Sequence, residues 1–228
     1  MSTRHPVLLL VNPNTNGSTT RMMRDLAAAE LSETGLEVVG MTALQGPRML
    51  VGPEDLAASG EYVQAVVRTY LAGLHGSDVA AVMVAAMGDP GRRELGNELG
   101  IPVVGIGEAA IWSASKNGRN FGMATSTPLL VDSLSRLVSE HGRDAQFCGV
   151  QLTASDPLVL AADPEKQFVE LREAVLASVD AGAEAVITAG GPLSGTARRL
   201  SAEQVAAIIE PIPSACELVL ERLARRSA

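Results

Sequence analysis

Apolar positions in this chain fall into short continuous runs, separated by longer stretches in which they recur every three or four residues. Short runs bounded by turn residues predict buried strands, and the longer period predicts amphipathic helices. Residues 6–11, a proline followed by Val, Leu, Leu, Leu and Val, read as a strand buried on both faces. A helix is predicted over 16–33, ended near Gly35, and a second strand over 36–41. Residues 54–74 predict a long helix whose apolar spacing runs through Leu56, Tyr62, Val63, Val66, Val67 and Leu71. A strand over 79–86, a short helix over 92–99 and a fourth strand over 101–106 follow.

The second half repeats the rhythm. Residues 108–116 read as helix and 120–124 as strand. Thr127 and Pro128 predict a helix start, with Thr as N-cap and Pro at the first helical position. Residues 147–152 read as strand, and Asp163-Pro164 opens a helix running to Ala181. A strand is predicted over 185–188. Ser201 with Gln204 reads as a capping box for a further helix, broken by Pro211 and Pro213, and 214–226 as a last helix. Strand and helix alternating throughout predict an α/β protein with parallel sheets. The halves also repeat each other. Asn12 and Ala86 are 74 residues apart, Thr125 and Gly190 are 65 apart, and each of the four opens a turn at a strand's C-terminal end. Ligands of open α/β sheets bind at those ends. The expectation is two pseudo-symmetric α/β domains, 1–105 and 106–211, with residues 212–228 returning to the first.

Composition narrows the function. In 228 residues, 46% are hydrophobic and 19% charged, which excludes low-complexity disorder. The net charge of −8 repels phosphate backbones and aromatics are only 3%, so no nucleic-acid partner is expected. No apolar run is long enough to span a membrane, and residues 1–7 lack a secretory pattern, so a cytoplasmic protein without a membrane partner is expected. Two cysteines make no disulfide framework, and His5, His75 and His141 have no ligand spacing, so no metal site is expected. A homo-oligomer is the base-rate expectation.

The chemistry-bearing loops each have a bland reading beside a functional one. Asn12-Pro-Asn-Thr-Asn16 can hold an anion at a helix start, or simply cap the helix. Thr125-Ser-Thr127 offers hydroxyls and N–H groups to a carboxylate or ring carbonyl, or again a cap. In Met87-Gly-Asp-Pro-Gly91 and Gly190-Gly-Pro192, glycine lets the backbone approach a ligand closely. Asp89 is either a general base or a turn residue, and Glu108 complements a helix dipole. Tyr62 and Trp112 suit a core, and Cys148 and Cys216 read as buried structural thiols.

Val11-Asn-Pro-Asn-Thr-Asn16, Gly88-Asp-Pro-Gly91, Ile101-Pro-Val-Val-Gly-Ile-Gly-Glu-Ala-Ala110 and Phe121-Gly-Met-Ala-Thr-Ser126 together resemble the aspartate/glutamate/hydantoin racemase superfamily, on its hydantoin and allantoin racemase branch. The resemblance runs from about residue 7 to residue 215. It implies a site in the cleft between two α/β domains, no cofactor, and one cysteine per domain moving a proton on and off a carbon acid. It assigns substrate binding to Asn12, Asn14, Thr15, Ala86, Met87, Gly88, Thr125, Ser126, Gly190 and Gly191. Where the family carries its cysteines, this chain has Ala86 and the Gly190-Gly191-Pro192 turn, with Gly191 as the second replaced position. A methyl group and a hydrogen transfer no protons. The expected partner is a small carboxylate or hydantoin-like cyclic amide, handled by altered isomerase chemistry with Asp89 as candidate base. A lyase or ring-opening hydrolase using Asp89 or a bound water, and a catalytically silent binding protein, are the alternatives.

Overall fold

A computed structural model of the chain describes residues 5–73 and 76–227. The chain divides into two compact units. Met1–Leu50, Glu54–Ile106 and Ala215–Ala228 form the first, and Val51–Pro53 with Gly107–Ser214 the second.

The first unit is built on β1 (Val7–Asn12), α1 (Gly17–Glu30), β2 (Glu37–Thr42), α2 (Pro53–Leu71), β3 (Val79–Val84), α3 (Arg92–Glu98) and β4 (Val103–Gly105). Its four strands pair in parallel in the order β2-β1-β3-β4. Every residue of β1 is buried, as a run that is apolar on both faces requires. Leu9, Val11, Val82 and Val84 pack with Val63 and Val67 of α2 in one core. Asn16 starts α1, its carboxamide oxygen accepting from the N–H groups of Ser18 and Thr19.

The second unit follows with α4 (Ile106–Ala114), β5 (Phe121–Thr125), α5 (Val131–Glu140), β6 (Phe147–Leu152), α6 (Pro157–Ala162), α7 (Pro164–Asp180), β7 (Ala185–Thr188), α8 (Ser194–Ser201) and β8 (Ala207–Ile209). The sheet order is β6-β5-β7-β8, again all parallel. Leu171, Ala174 and Val175 of α7 pack with Ala124 and Val186. The last helix, α9 (Pro211–Ser227), starts in this unit and ends in the first, where Arg222 Nη1 donates to Val103 O at 3.0 Å.

Both sheets have one topology. The first strand sits second in the sheet, its successor on one side and the third strand on the other. The chain direction therefore switches between β1 and β3 and between β5 and β7, and loops after those strands diverge to leave a crevice. The predicted parallel α/β class holds.

Several local expectations do not. Thr127 makes no capping hydrogen bond; a single 3₁₀ turn, Pro128–Leu130, precedes α5. The Ser201/Gln204 capping box is absent, because Ser201 is the last residue of α8 and β8 follows. Ser201 Oγ instead donates back to Ala197 O at 3.1 Å. A run of Val, Ala, Ala, Ile and Ile is too short to distinguish strand from helix by period, and pairing with β7 decides it. Pro211 begins α9 instead of breaking a helix, since the first helical position needs no N–H. Leu74, the predicted end of the second helix, and His75 lie outside the described residues.

Among the described residues, no helix is long and apolar enough to cross a membrane. No group of three or more His, Cys, Asp or Glu among them is placed to hold a metal ion.

Candidate functional site

At the end of β1, Asn12 is buried and locks its own loop. Its carboxamide nitrogen lies 2.9 Å from Asn14 Oδ1, 3.2 Å from Asn16 O and 3.0 Å from Thr20 Oγ1. Its oxygen accepts from Asn14 N at 3.3 Å. Asn14 Oδ1 also accepts from Asn16 N at 2.9 Å. With its oxygen so engaged, the Asn14 Nδ2 amide has no hydrogen-bond partner among the described residues. Thr15 faces elsewhere: its N–H donates to Pro47 O at 3.0 Å, and its hydroxyl to Gly46 O at 3.4 Å.

The turn after β3 is held from several sides. Gly88 has φ +97°, and a Cβ there would lie 2.7 Å from Leu56 Cδ2. Gly91 has φ +75°, and its Cβ would lie 2.7 Å from Gly60 O on α2. Only glycine fits these two positions. Asp89 itself takes φ +50°. Its side chain is 3% exposed, with Oδ2 4.0 Å from Arg92 Nε. A Cβ on Gly105 would fall 2.0–2.4 Å from the Asp89 carboxyl atoms, so the carboxylate lies directly on the end of β4. Met87 is buried beside this turn, and Ala86 is half-buried.

In the second unit, the Thr125 hydroxyl donates to Ala189 O at 2.7 Å. Its single proton is thereby used, so the Thr127 hydroxyl, 3.0 Å away, is the donor to Thr125 Oγ1. Ser126 is 8% exposed, and its hydroxyl has no partner among the described residues. Gly190 is extended, at φ 170°, and its N–H donates to Thr188 O at 3.0 Å. Gly191 opens a 3₁₀ turn, Gly191–Leu193.

Backbone hydrogen bonds align the two units residue by residue. Ala85 N donates to Val11 O at 2.9 Å, and Ala189 N to Ala124 O at 2.8 Å. Ala43 N donates to Asn12 O at 2.9 Å, and Thr153 N to Thr125 O at 3.0 Å. Asn12 thus corresponds to Thr125, and Ala86 to Gly190. The sequence reading missed the groups that fix these loops: Gly60 inside α2, Gly105 at the end of β4, and Glu170 of α7. Glu170 accepts from Ser155 N at 2.7 Å and from Ser155 Oγ at 2.6 Å. A glycine in the middle of a helix was the one available signal.

Neither cysteine stands at these turns. Cys148 is within β6 and Cys216 within α9. Burial, and then Glu184, raise the Cys148 thiol; burial, and then Glu30, push Cys216 up to about 12.

Residues 8–219 match the family model for Asp/Glu/hydantoin racemases. Among curated proteins, a hydantoin racemase of Paenarthrobacter aurescens is 27% identical over 213 residues, covering 92% of this chain and 88% of the relative. Among solved structures, an allantoin racemase from Pseudomonas fluorescens is 26% identical, with a TM-score of 0.87 over 97% of this chain and 92% of its own. An allantoin racemase from Klebsiella pneumoniae has the same TM-score at 22% identity, covering 97% of this chain and 89% of its own.

Proposed function

The chain belongs to the Asp/Glu/hydantoin racemase family, and from that premise we propose that it binds a small carboxylate or a hydantoin- or allantoin-like cyclic amide without the family's two-thiol proton relay. The names of its relatives support that substrate class. The observation that carries the second half is the hydrogen-bond register, which makes Ala86 and Gly190 equivalent residues after β3 and β7. Neither has a titratable group. Cys148 and Cys216 sit elsewhere, and burial keeps both protonated near neutral pH.

Binding needs only neutral donors. The Asn14 amide and the Ser126 hydroxyl, each without a hydrogen-bond partner among the described residues, suit carboxylate or ring-carbonyl oxygens. Asp89 is a positioning residue in this reading. A general base must reach the proton it abstracts, and this carboxylate lies against Gly105 beside Arg92.

The test is proton NMR in deuterium oxide with allantoin, a 5-substituted hydantoin, aspartate, glutamate and maleate, beside thermal shifts with each. The expected result is a raised melting temperature with one of these ligands and no Cα–H exchange by the wild type. The variant Ala86→Cys with Gly190→Cys should gain exchange. Wild-type exchange that Asp89→Asn abolishes would overturn this reading and make Asp89 the base of an altered isomerase. Ring-opened or cleaved products would instead establish the hydrolase or lyase reading.

A further inference from the structure

A second recess lies in the first unit, between the edge strand β2 and helix α2. Its volume is about 380 Å³, within the range of small-molecule sites, which run from about 300 to 1,000 Å³. None of the strand-end residues discussed above lines it. Its floor is Met41 and Val66, both continuous with the core of the unit. Tyr62 and Ala65 of α2 form one wall. Leu44 forms the other and is 90% exposed.

The walls are fixed. Gly46, at φ +98°, packs so closely on the Tyr62 ring that a Cβ there would lie 2.8 Å from Cε2. Thr15 pins the same loop through Gly46 O and Pro47 O. Loop and helix therefore hold the recess open.

Its chemistry is one-sided. Glu61 is the one charged residue lining it, on an exposed turn of α2. The Glu61 carboxylate makes no hydrogen bond or ion pair among the described residues, nor does the Gln45 amide or the Tyr62 hydroxyl make a hydrogen bond. A thioether, an aromatic face and branched aliphatic carbon suit a flat or branched apolar group. A lone carboxylate at the rim suits a cation and repels an anion.

We propose that this recess binds a small amphipathic amine, an aromatic or branched aliphatic group carrying one ammonium. The apolar part rests on Met41, Tyr62 and Val66, and the ammonium faces Glu61. The ligand is a cation, whereas a carboxylate or a neutral cyclic amide is expected at the strand ends, so the two sites are separable by experiment.

Isothermal titration of the full chain with phenethylamine tests this, with 2-phenylethanol and phenylacetate as controls of similar shape. Saturable one-to-one binding of the amine is expected, with the alcohol roughly five-fold weaker, as an exposed ion pair allows. Phenylacetate should bind more weakly still. Glu61→Gln should bring the amine to the level of the alcohol. Ala65→Trp, on an exposed helix position, should fill the recess and abolish binding while the melting temperature stays within a few degrees. Equal binding of phenylacetate, or a titration that Ala65→Trp leaves unchanged, would overturn the proposal. So would a fall in sedimentation mass on Ala65→Trp, which would show that a second copy of the chain covers the recess.

Discussion

In the first unit the turn after β3 is gripped by Leu56, Gly60 and Gly105, whereas in the second a Cβ on Gly190, after β7, would meet only the Leu193 side chain among the described residues. The two turns follow equivalent strands in the same sheet order. One carries four consecutive residues of restricted type, Gly88-Asp89-Pro90-Gly91, three of them at positive φ, with a buried carboxylate among them. The other is an extended glycine followed by a 3₁₀ turn. The loops after β1 and β5 differ in the same way. Carboxamides tie Asn12, Asn14 and Asn16 into a closed network, while two hydroxyls and one carbonyl suffice around Thr125. A shared backbone scaffold therefore fixes where the loops stand, and side chains decide how rigidly they stand there.

The sharpest way to break this comparison is to add one methyl group to each unit. Gly105→Ala puts a Cβ 2.0 Å from Asp89 Cγ, which neither a buried carboxylate nor a strand end can yield to. It should destabilise by about 3 kcal/mol, the upper end for overpacking. Gly190→Ala brings its Cβ to 3.2 Å from Leu193 Cδ1, the end of a flexible side chain. Its cost should stay below about 1 kcal/mol. Urea unfolding measures both, and equal costs would end the contrast.

The loops after the first strand of each unit give a smaller effect. Asn12→Ala strips partners from Asn14 Oδ1, Asn14 N and Thr20 Oγ1 in a buried place, and should cost about 2–3 kcal/mol. Thr125→Val keeps the shape but leaves Ala189 O and the Thr127 hydroxyl without their partner, for about 1–2 kcal/mol. The order of the two, read from the same urea curves, is the prediction.

The loops that follow β2 and β6 differ in pH response. Thr15 holds the first with uncharged groups. Glu170 holds the second, and the Ser155 hydroxyl bond keeps its carboxyl below the ordinary range; the Ser155 N–H and Lys166 support the charge. A lowered folded-state pKa means that its stabilisation is present above the ordinary carboxylate pKa and lost as pH falls through the folded value. Glu170→Gln should therefore melt below the wild type at neutral pH, and the gap should close in acid. A gap constant with pH would show that the amide holds Ser155 as well as the carboxylate does. Thr15→Val should show such a constant gap.

Much of this comparison was legible in the residues themselves. The apolar run of β1, the alternation of strand and helix, and four strand-end motifs in order carried the fold class and the family. Motif residues such as Asn12 and Thr125 were named because Asn, Thr and Gly at strand ends have few common uses. What stayed hidden depends on distant contacts. The grip on Asp89 comes from Gly105, 16 residues further on, and a carboxylate turned onto a strand end reads like one turned to solvent. The short strand β8 exists because β7 offers an edge, and α6 because Asp156 caps a six-residue helix whose period is too short to detect.

The smallest signal addresses the thiols, because each unit does hold one cysteine, Cys216 in the first and Cys148 in the second. By count alone, that matches the one-per-domain arrangement the family resemblance implies. By place it does not: Cys148 lies inside β6, half-buried, and Cys216 Sγ faces Ala27 O at 4.0 Å in the core of the first unit. The thiolate is the reactive form, and a free cysteine ionises near about pH 8.5. Cys216, pushed up to about 12, stays a thiol at about pH 8 and is shielded from reagents as well. With Ellman's reagent, the native protein should label Cys148 more slowly than free cysteine and leave Cys216 silent, and two equivalents should appear only after unfolding in guanidinium. Rapid native labelling with a pH midpoint below about 8 would mean an exposed thiolate, and would return thiol chemistry to a protein whose strand-end turns have none.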